Sequence, residues 1–227
     1  MTSTPHPPPE ADHVSSTRIF YDAIAEDYAE LFAGKHTANP LDRALLAGFA
    51  ELVTRGGGGE VADLGCGPGR VTAYLASLGL SVFGLDLSEP MLAIARRENP
   101  GLRFRQGSML ELDVRDGELA AAVSWYSSIH TPVEQLPALF AEFHRVLAPG
   151  GHLLLAFQAG DQPLTLDRPF GHPVTLDFQR RDPERMAALL EAAGFTLRSR
   201  TLRAPDEDIG DSAPQAFLIG RKGVAGV

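Results

Sequence analysis

The sequence contains a single cysteine, Cys66, among its 227 residues. One thiol excludes an internal disulfide and a metal site built from several cysteines. Histidines and carboxylates do not stand at metal-ligand spacing either, so we expect no metal. No apolar run approaches the length of a membrane span, and the proline-rich residues 2–16 lack the hydrophobic region of a secretory signal. These absences predict a cytoplasmic protein without a membrane partner.

Positive charge is also scarce. The chain has 20 Lys and Arg against 29 Asp and Glu, which gives a net charge of −9. Nucleic acids and anionic membranes both favour a basic protein face, so neither is expected as the main partner. The hydrophobic fraction of 44% and the charged fraction of 22% are ordinary for a globular protein, and the length suits one domain.

The N-terminal third predicts a tail followed by two helices. Residues 1–16 are rich in proline and too poor in apolar side chains to offset the entropy of ordering, which predicts a disordered tail. Apolar residues at helical spacing predict a helix over about 17–33. Asn39 as N-cap and Pro40 at the first helical position predict a second helix, with Leu41 and Phe49 on its buried face. The two helices form a cap, 17–55, on a single domain, 17–227.

From residue 60 onward, short apolar strands alternate with helices. The pattern predicts strands over 60–64, 81–86, 102–106, 119–125 and 152–158, with a helix between most successive strands. Such alternation implies right-handed crossovers and a parallel sheet covered on both faces. Two final strands, 195–203 and 215–221, have no helix between them and predict an antiparallel pair at the sheet edge. We therefore expect an α/β, Rossmann-like doubly wound, mostly parallel seven-stranded sheet with an antiparallel edge strand and helices on both faces. Residues 159–179 predict a hairpin or a lid.

A glycine-rich turn follows the first strand. Gly65, Gly67 and Gly69 allow a tight reversal and a close approach of the backbone to a ligand, and the next helix directs its free N–H groups into the turn. Asp86 ends the second strand, 23 residues after Asp63. A carboxylate at this distance can accept both hydrogen bonds of a ribose diol. The sequence thus predicts a nucleotide-like ligand at the carboxyl ends of the strands.

The turn differs from a dinucleotide site. The dinucleotide fingerprint requires glycine three residues beyond Gly67, where this chain has Arg70. The chain also has no Tyr-x-x-x-Lys pattern for a short-chain dehydrogenase. These two features disfavour a nicotinamide cofactor, although a Rossmann-type enzyme using one remains an alternative.

Three ordered motifs carry a family resemblance. Residues 63–69, 84–91 and 145–151 resemble the successive motifs of class I S-adenosylmethionine-dependent methyltransferases. Residues 21–28 are similar to the leader helix of many members that act on small molecules. The resemblance covers about residues 18–222. It implies S-adenosyl-L-methionine as the cofactor and S-adenosyl-L-homocysteine as the product.

The resemblance also implies the cofactor contacts. Asp63 and the turn would hold the methionine end, Asp86 the ribose, and the residues after the second and third strands the adenine. Many members have an aspartate at the position of Ser108, so adenine recognition here would rest on the serine or on the backbone of Met109. Aromatic residues of the leader helix would close over the cofactor. The implied contacts are Tyr21, Tyr28, Asp63, Gly65, Cys66, Gly67, Gly69, Asp86, Leu87, Met91, Ser108, Met109 and Trp125.

The candidate catalytic residues are His130 and Tyr126, just beyond the fourth strand, where the resemblance places the reactive methyl group. Transfer to a hydroxyl requires a base, and the pKa range of histidine suits that task. The alternative is that His130 only bonds to the backbone of its loop. Residues 124–127 lack the Asn/Asp-Pro-Pro-Tyr-like motif of enzymes that methylate nucleobase amines, which leaves a small organic acceptor.

Methylation on O, N or C stays open at this point, as does the choice between a monomer and a homodimer. Two other functions also stay open: a different enzyme on the same cofactor platform, and a non-catalytic domain that senses S-adenosylmethionine.

Overall fold

The structure is a computed structural model that describes residues 12–32 and 39–224. Its helices are α1 (Asp12–Leu31), α2 (Pro40–Arg55), α3 (Arg70–Ser77), α4 (Glu89–Glu98), α5 (Leu136–Val146) and α6 (Pro183–Ala192). Its strands are β1 (Glu60–Leu64), β2 (Ser81–Asp86), β3 (Arg103–Gln106), β4 (Leu119–Trp125), β5 (Leu147–Gln158), β6 (Leu164–Asp167), β7 (Thr175–Phe178), β8 (Phe195–Arg203) and β9 (Gln215–Lys222).

Seven strands form one sheet in the order β3-β2-β1-β4-β5-β9-β8. The strands from β1 to β5 pair in parallel, and β9 runs antiparallel to both β5 and β8. The predicted α/β, mostly parallel seven-stranded fold is confirmed. The antiparallel strand, however, lies one place in from the edge, and β8 is the edge strand. The side chains explain this, because β9 is buried along most of its length whereas β8 alternates exposed and partly buried positions.

Helices cover both faces of the sheet. On one face, Phe140 and Phe143 of α5 pack with Leu64 of β1 in a core that also includes α6. On the other face, Phe49 of α2 packs with Val61 of β1 and with α3. Neighbouring residues of β1 thus enter opposite cores, as expected for a strand buried on both sides.

The first described helix begins earlier than expected. Residues 12–16, assigned to the disordered tail, form the first turn of α1. Val14 is buried, and the Thr17 hydroxyl donates to the His13 carbonyl, so this turn has both apolar and hydrogen-bonding anchors. The tail boundary at residue 16 is therefore wrong, and residues 1–11 lie outside the described residues. The predicted end of this helix at residue 33 also lies outside them.

The start of α2 confirms the predicted cap, since the Asn39 side chain accepts from the backbone N–H of Leu41 at 2.8 Å. The expected orientation of its first turn is wrong. Leu41 is 63% exposed, and its neighbour Asp42 is buried. The reason is an ion pair at 3.0 Å between Asp42 and Arg203 at the end of β8, which draws the carboxylate inward.

Residues 159–179 contain the predicted hairpin, formed by the antiparallel strands β6 and β7. It packs on the leader helix α1, where the ring of Phe178 meets that of Phe20 at 5.9 Å. His172 Nε2 lies 2.8 Å from Asp27 Oδ2. The hairpin thus contacts α1 at two points, while a lid function stays a prediction.

Candidate active site

The glycine turn between β1 and α3 has three residues in the left-handed region, Gly65 (φ 75°), Gly67 (φ 52°) and Gly69 (φ 80°). A Cβ at Gly65 would overlap Ser127, and one at Gly69 would lie 2.8 Å from the ring of Phe104. A Cβ at Gly67 would lie more than 4 Å from every atom of the described residues other than its own chain neighbours. Two of the glycines are therefore required by packing, and the third faces space that a ligand can enter.

Asp86 lies beside this open position. Its Oδ2 accepts from the backbone N–H of Gly67 at 2.8 Å, and its Oδ1 accepts from that of Ser88 at 2.9 Å. Burial raises the pKa of this carboxyl, and the backbone hydrogen bonds oppose the shift. A carboxylate has about four lone-pair sites, so both oxygens can accept a further hydrogen bond. The free acceptor sites of Asp86 and the open turn fit the two hydroxyls of a ribose diol.

Asp63 differs from Asp86 in being closed off from the surface. It is 1% exposed, and its Oδ2 accepts from the Thr72 hydroxyl at 2.6 Å. Burial raises the pKa of Asp63 to about 7. The side chain joins β1 to α3 across the turn. Cys66, in the same turn, is buried, and burial raises the pKa of its thiol well above the usual value, which argues against a nucleophile.

Two predicted adenine contacts have different surroundings. Met91 is 1% exposed and packs between α4 and α1 with Ala25 and Ile94. Leu87 is partly exposed at the end of β2, where its carbonyl accepts from the Gln106 side chain at 3.0 Å. Met91 thus supports the leader helix, and Leu87 stays at the open edge.

The segment after β3 lies against the glycine turn. The terminal methyl of Met109 is 3.2 Å from the position of a Cβ on Gly65. The Ser108 hydroxyl accepts from the backbone N–H of Leu110 at 3.2 Å. The structure therefore brings Met109 to the turn and gives the Ser108 hydroxyl a role in shaping its own loop.

The leader helix α1 contributes a row of aromatic side chains to the same region. Tyr21 and Tyr28 meet at 5.9 Å, and Tyr28 and Phe32 at 4.7 Å, between ring centroids. The Arg70 guanidinium, at the start of α3, lies 4.4 Å over the Phe32 ring. Burial raises the pKa of both tyrosines, and the charge of Asp86 adds to each shift. The predicted cofactor tyrosines thus lie close to the predicted ribose ligand.

His130 ends a 3-10 turn, Ser128–His130, that follows β4. Its Nε2 is 2.9 Å from the Tyr21 hydroxyl, and its ring lies 4.8 Å from that of Phe178. Burial lowers the pKa of His130 to about 4, although the backbone of Asp177 opposes the shift. The imidazole is therefore neutral at pH 7, and Tyr21 connects it to the neighbourhood of Asp86.

Trp125 and Tyr126 pack on opposite faces of the sheet, Trp125 against the core that includes Phe49 and Tyr126 against the core that includes Phe140. Tyr126 has a left-handed φ of 57°, an uncommon conformation for a large side chain, and such strain is concentrated at functional sites. Trp125 packs on Phe217 at 5.3 Å. Burial raises the pKa of Tyr126, whose next largest influence is the charge of Asp42. Within the described residues, the recorded ring contacts of His130 are with Tyr21 and Phe178 and not with Tyr126. The structure thus brings Tyr21, rather than Tyr126, to His130.

Two clefts open near the carboxyl edge of the sheet. The first, of about 500 Å³, is named here the His130 cleft and is lined by Thr17, His130, Glu134, Asp177, Arg181 and their neighbours. The second, of about 610 Å³, lies between α2 and the loop after β8. In the second, Arg203 is 7% exposed and pairs with Asp42 and Asp211. Sequence reasoning missed Arg181 and Arg203, because nothing in their local sequence distinguishes them from surface arginines.

In the part of the chain that the structure describes, no group of three or more His, Cys, Asp or Glu side chains is placed to hold a metal ion. Along the same residues, no helix combines the length and the apolar character that a membrane crossing requires.

Comparison with known proteins agrees with this geometry. A family profile described as "Methyltransferase domain" matches residues 61–151. An uncharacterized methyltransferase of Synechocystis is 31% identical over 166 residues, which cover 65% of this chain and 71% of that protein. The trans-aconitate 2-methyltransferase of Rhizobium meliloti is 31% identical over 165 residues, 72% of this chain and 58% of that enzyme. Other curated methyltransferases are matched over 38% to 40% of their length.

Solved structures show the same fold. Magnesium protoporphyrin IX methyltransferase from Synechocystis, with bound S-adenosylmethionine, superposes with a TM-score of 0.70 at 17% identity, covering 95% of this chain and 99% of that one. The chain belongs to the class I S-adenosylmethionine-dependent methyltransferases. S-adenosylmethionine is therefore its cofactor, and the resemblance seen in the three sequence motifs is confirmed.

Proposed function

We propose that the protein transfers the methyl group of S-adenosylmethionine to a small organic acceptor bound in the His130 cleft. The observation that carries this proposal is the position of Tyr21. Its hydroxyl lies 2.9 Å from His130, and its pKa is raised in part by the charge of Asp86. The predicted cofactor site and the cleft therefore lie next to the same side chain. In-line transfer requires that the two ligands be neighbours in this way.

Under this proposal the chain holds the cofactor with one polar anchor and one backbone cradle. Asp86 accepts from the ribose hydroxyls with its remaining lone pairs, and the turn around Gly67 takes the methionine end. Asp63 acts through the turn by its bond to Thr72. The remaining cofactor contacts proposed from the sequence are Tyr21, Tyr28, Gly65, Cys66, Gly69, Leu87, Ser108, Met109 and Trp125, while Met91 acts indirectly by supporting the leader helix.

The chemistry that the cofactor supplies when bound is an electrophilic methyl group, whose bond to sulfur breaks as the bond to the acceptor forms, leaving the electron pair on sulfur. The chain aligns the acceptor and excludes water. Where the acceptor is a hydroxyl, its proton passes by way of the Tyr21 hydroxyl, which lies 2.9 Å from Nε2 of His130, to the imidazole, which the low pKa keeps neutral at pH 7. Tyr21 and Phe178 hold the imidazole in place, and Tyr126 lies close to Asp42 and Arg203 of the second cleft.

The net charge and the relatives of the chain also support a class of acceptor. A net charge of −9 supports a small-molecule acceptor over nucleic acid. The Rhizobium relative is named for trans-aconitate, a small organic acid, which also supports this class. The proposal includes a cytoplasmic location and a monomer or homodimer, which cell fractionation and light scattering test.

Calorimetric titration with S-adenosylhomocysteine tests the cofactor assignment. Asp86→Ala should weaken binding by about 1–3 kcal/mol, the range for hydrogen bonds to a charged group and for the cost of leaving their partners unpaired. Asp116→Ala is the matched control, since it removes the same charge from an exposed position before β4, at the opposite edge of the sheet. Equal affinity in the two variants would mean that the ribose is held elsewhere. Binding of a nicotinamide dinucleotide in place of S-adenosylhomocysteine would contradict the whole proposal.

A further inference from the structure

Arg181 is held rigidly at the back of the His130 cleft. It lies just before α6, and its side chain is 8% exposed. Its backbone N–H donates to the Gln158 carbonyl at 2.9 Å, and its carbonyl accepts from Gly160 at 3.1 Å. These two bonds fix its position at the end of β5.

The guanidinium of Arg181 has few partners for a buried charge. It donates to the Thr131 carbonyl, and its buried Nε has no hydrogen-bond partner within the part of the chain that the structure describes. Among residues 12–32 and 39–224, no carboxylate forms an ion pair with it. Arg203 is equally buried and shows the contrast, since Asp42 and Asp211 both pair with it. A buried charge is costly unless it is paired. An anion from outside the chain would therefore stabilise the guanidinium of Arg181.

The cleft around Arg181 suits a small ligand. Its volume of about 500 Å³ lies in the range of small-molecule sites. Its two acids, Glu134 and Asp177, are exposed, whereas Arg181 is buried. An anionic group bound to Arg181 would therefore lie deeper in the cleft than the two acids, which are on the solvent side. His130 lines the same space, and the charge of Arg181 contributes to lowering its pKa, so the two side chains are close.

We propose that the acceptor carries a carboxylate and that Arg181 binds this group, anchoring the acceptor beside His130. The planar guanidinium matches a carboxylate through parallel charge-assisted hydrogen bonds. A single guanidinium with two acids nearby suits a monoanionic carboxylate better than a phosphate. The inference rests on the proposed function, since it names the chemical class of the same acceptor. It concerns the group that anchors the acceptor, whichever atom receives the methyl group.

The test is a calorimetric titration of the full chain, with and without saturating S-adenosylhomocysteine. The probes are trans-aconitate, succinate and benzoate, their primary amides, and inorganic phosphate. We expect at least one acid to bind about ten- to hundredfold more tightly than its amide, the factor that hydrogen bonds to a charged group provide. Arg181→Gln should remove this preference, and Arg181→Lys should keep part of it. Arg185→Gln, an exposed arginine one helical turn away, should leave it unchanged.

The acid-to-amide ratio separates ligand binding from a structural role, because a brace for the Thr131 loop would not distinguish an acid from its amide. The inference is overturned if no acid binds, if amides or phosphate bind as well as acids, or if the preference survives in Arg181→Gln. Should Arg181→Gln not fold, the ratio in the wild type and in Arg181→Lys decides. Failure of S-adenosylhomocysteine to bind contradicts the proposed function instead, and the titrations without it still decide the carboxylate question.

Discussion

Replacing Gly67 by alanine separates the two roles that glycine can have in the turn. Gly67 adopts φ 52°, and among the described residues nothing beyond its chain neighbours lies within 4 Å of a Cβ built there. The added methyl group therefore creates no clash inside the protein. It does occupy the open space beside Asp86, where the cofactor is proposed to approach the backbone.

The magnitudes follow from this geometry. An alanine in the left-handed region costs about 1–2 kcal/mol of stability, and no steric cost adds to it. Cofactor affinity should fall at least about tenfold, equal to ~1.4 kcal/mol, because the methyl group takes up contact space. The expected result is a folded protein with a modest loss of stability and a specific loss of S-adenosylhomocysteine binding.

Gly79→Ala is the matched control. Gly79 has φ 89° and lies beyond the far end of α3, and a Cβ there is also more than 4 Å from the rest of the described chain. Both variants should lose similar free energy of unfolding in urea, and only Gly67→Ala should lose affinity in calorimetry. Gly65→Ala provides the opposite case. Its Cβ would overlap Ser127, so we expect this substitution to lower the stability of the fold itself.

The reasoning is refuted if Gly67→Ala binds S-adenosylhomocysteine as tightly as Gly79→Ala does. The turn would then be structural, and the cofactor would have to lie on another face of β1. A loss of affinity with no loss of stability would leave the cofactor assignment intact but contradict the strain argument for φ 52°.

Two further predictions concern titratable groups. His130→Ala should lower the methyl-transfer rate about 10²-fold if His130 is the base, with unchanged S-adenosylhomocysteine affinity, and in the wild type the rate should fall only as the pH approaches 4. An unaltered rate would reduce His130 to a packing residue. For Asp63 the folded pKa of about 7 exceeds the ordinary 3.8, so the stability it contributes is complete below pH 4 and lost as the pH rises through 7. In the cofactor-free protein, the free energy of unfolding of the wild type, measured relative to that of Asp63→Asn, should therefore fall by on the order of 2–4 kcal/mol between pH 4 and pH 7.5. Parallel pH profiles for the two proteins would show that Asp63 is ionised when buried.

The strands could be predicted from the sequence because their signals are local. The bounds of β1, β2 and β4 agree with the prediction, since each is an apolar run that ends at a turn signal. The caps of α2, α4 and α6 are equally local, with Asn39, Ser88 and Asp182 each bonding to a backbone N–H within three residues. The glycine turn and Asp86 are also recognised from the local sequence, which is why the cofactor site could be predicted.

The order of the last two strands could not be predicted in the same way. Adjacent strands without a helix imply an antiparallel pair, which is correct, but do not say which strand lies at the edge. The composition of the two strands distinguishes them, because β9 carries the apolar run Ala216–Ile219 whereas β8 carries Arg198, Arg200 and Arg203. The buried strand is the one that inserts beside β5.

The acceptor side of the site depends on contacts between distant residues, and here the sequence is least informative. Tyr21 and His130 are 109 residues apart and meet because α1 crosses the carboxyl edge of the sheet. Arg181 and Arg203 both lie next to helix or strand ends, and only the structure shows that Arg203 forms ion pairs whereas Arg181 forms none with a described carboxylate. Because the pairing of a buried charge is a property of the whole fold, specificity for the acceptor has to be argued from Arg181 rather than from the motifs that define the family.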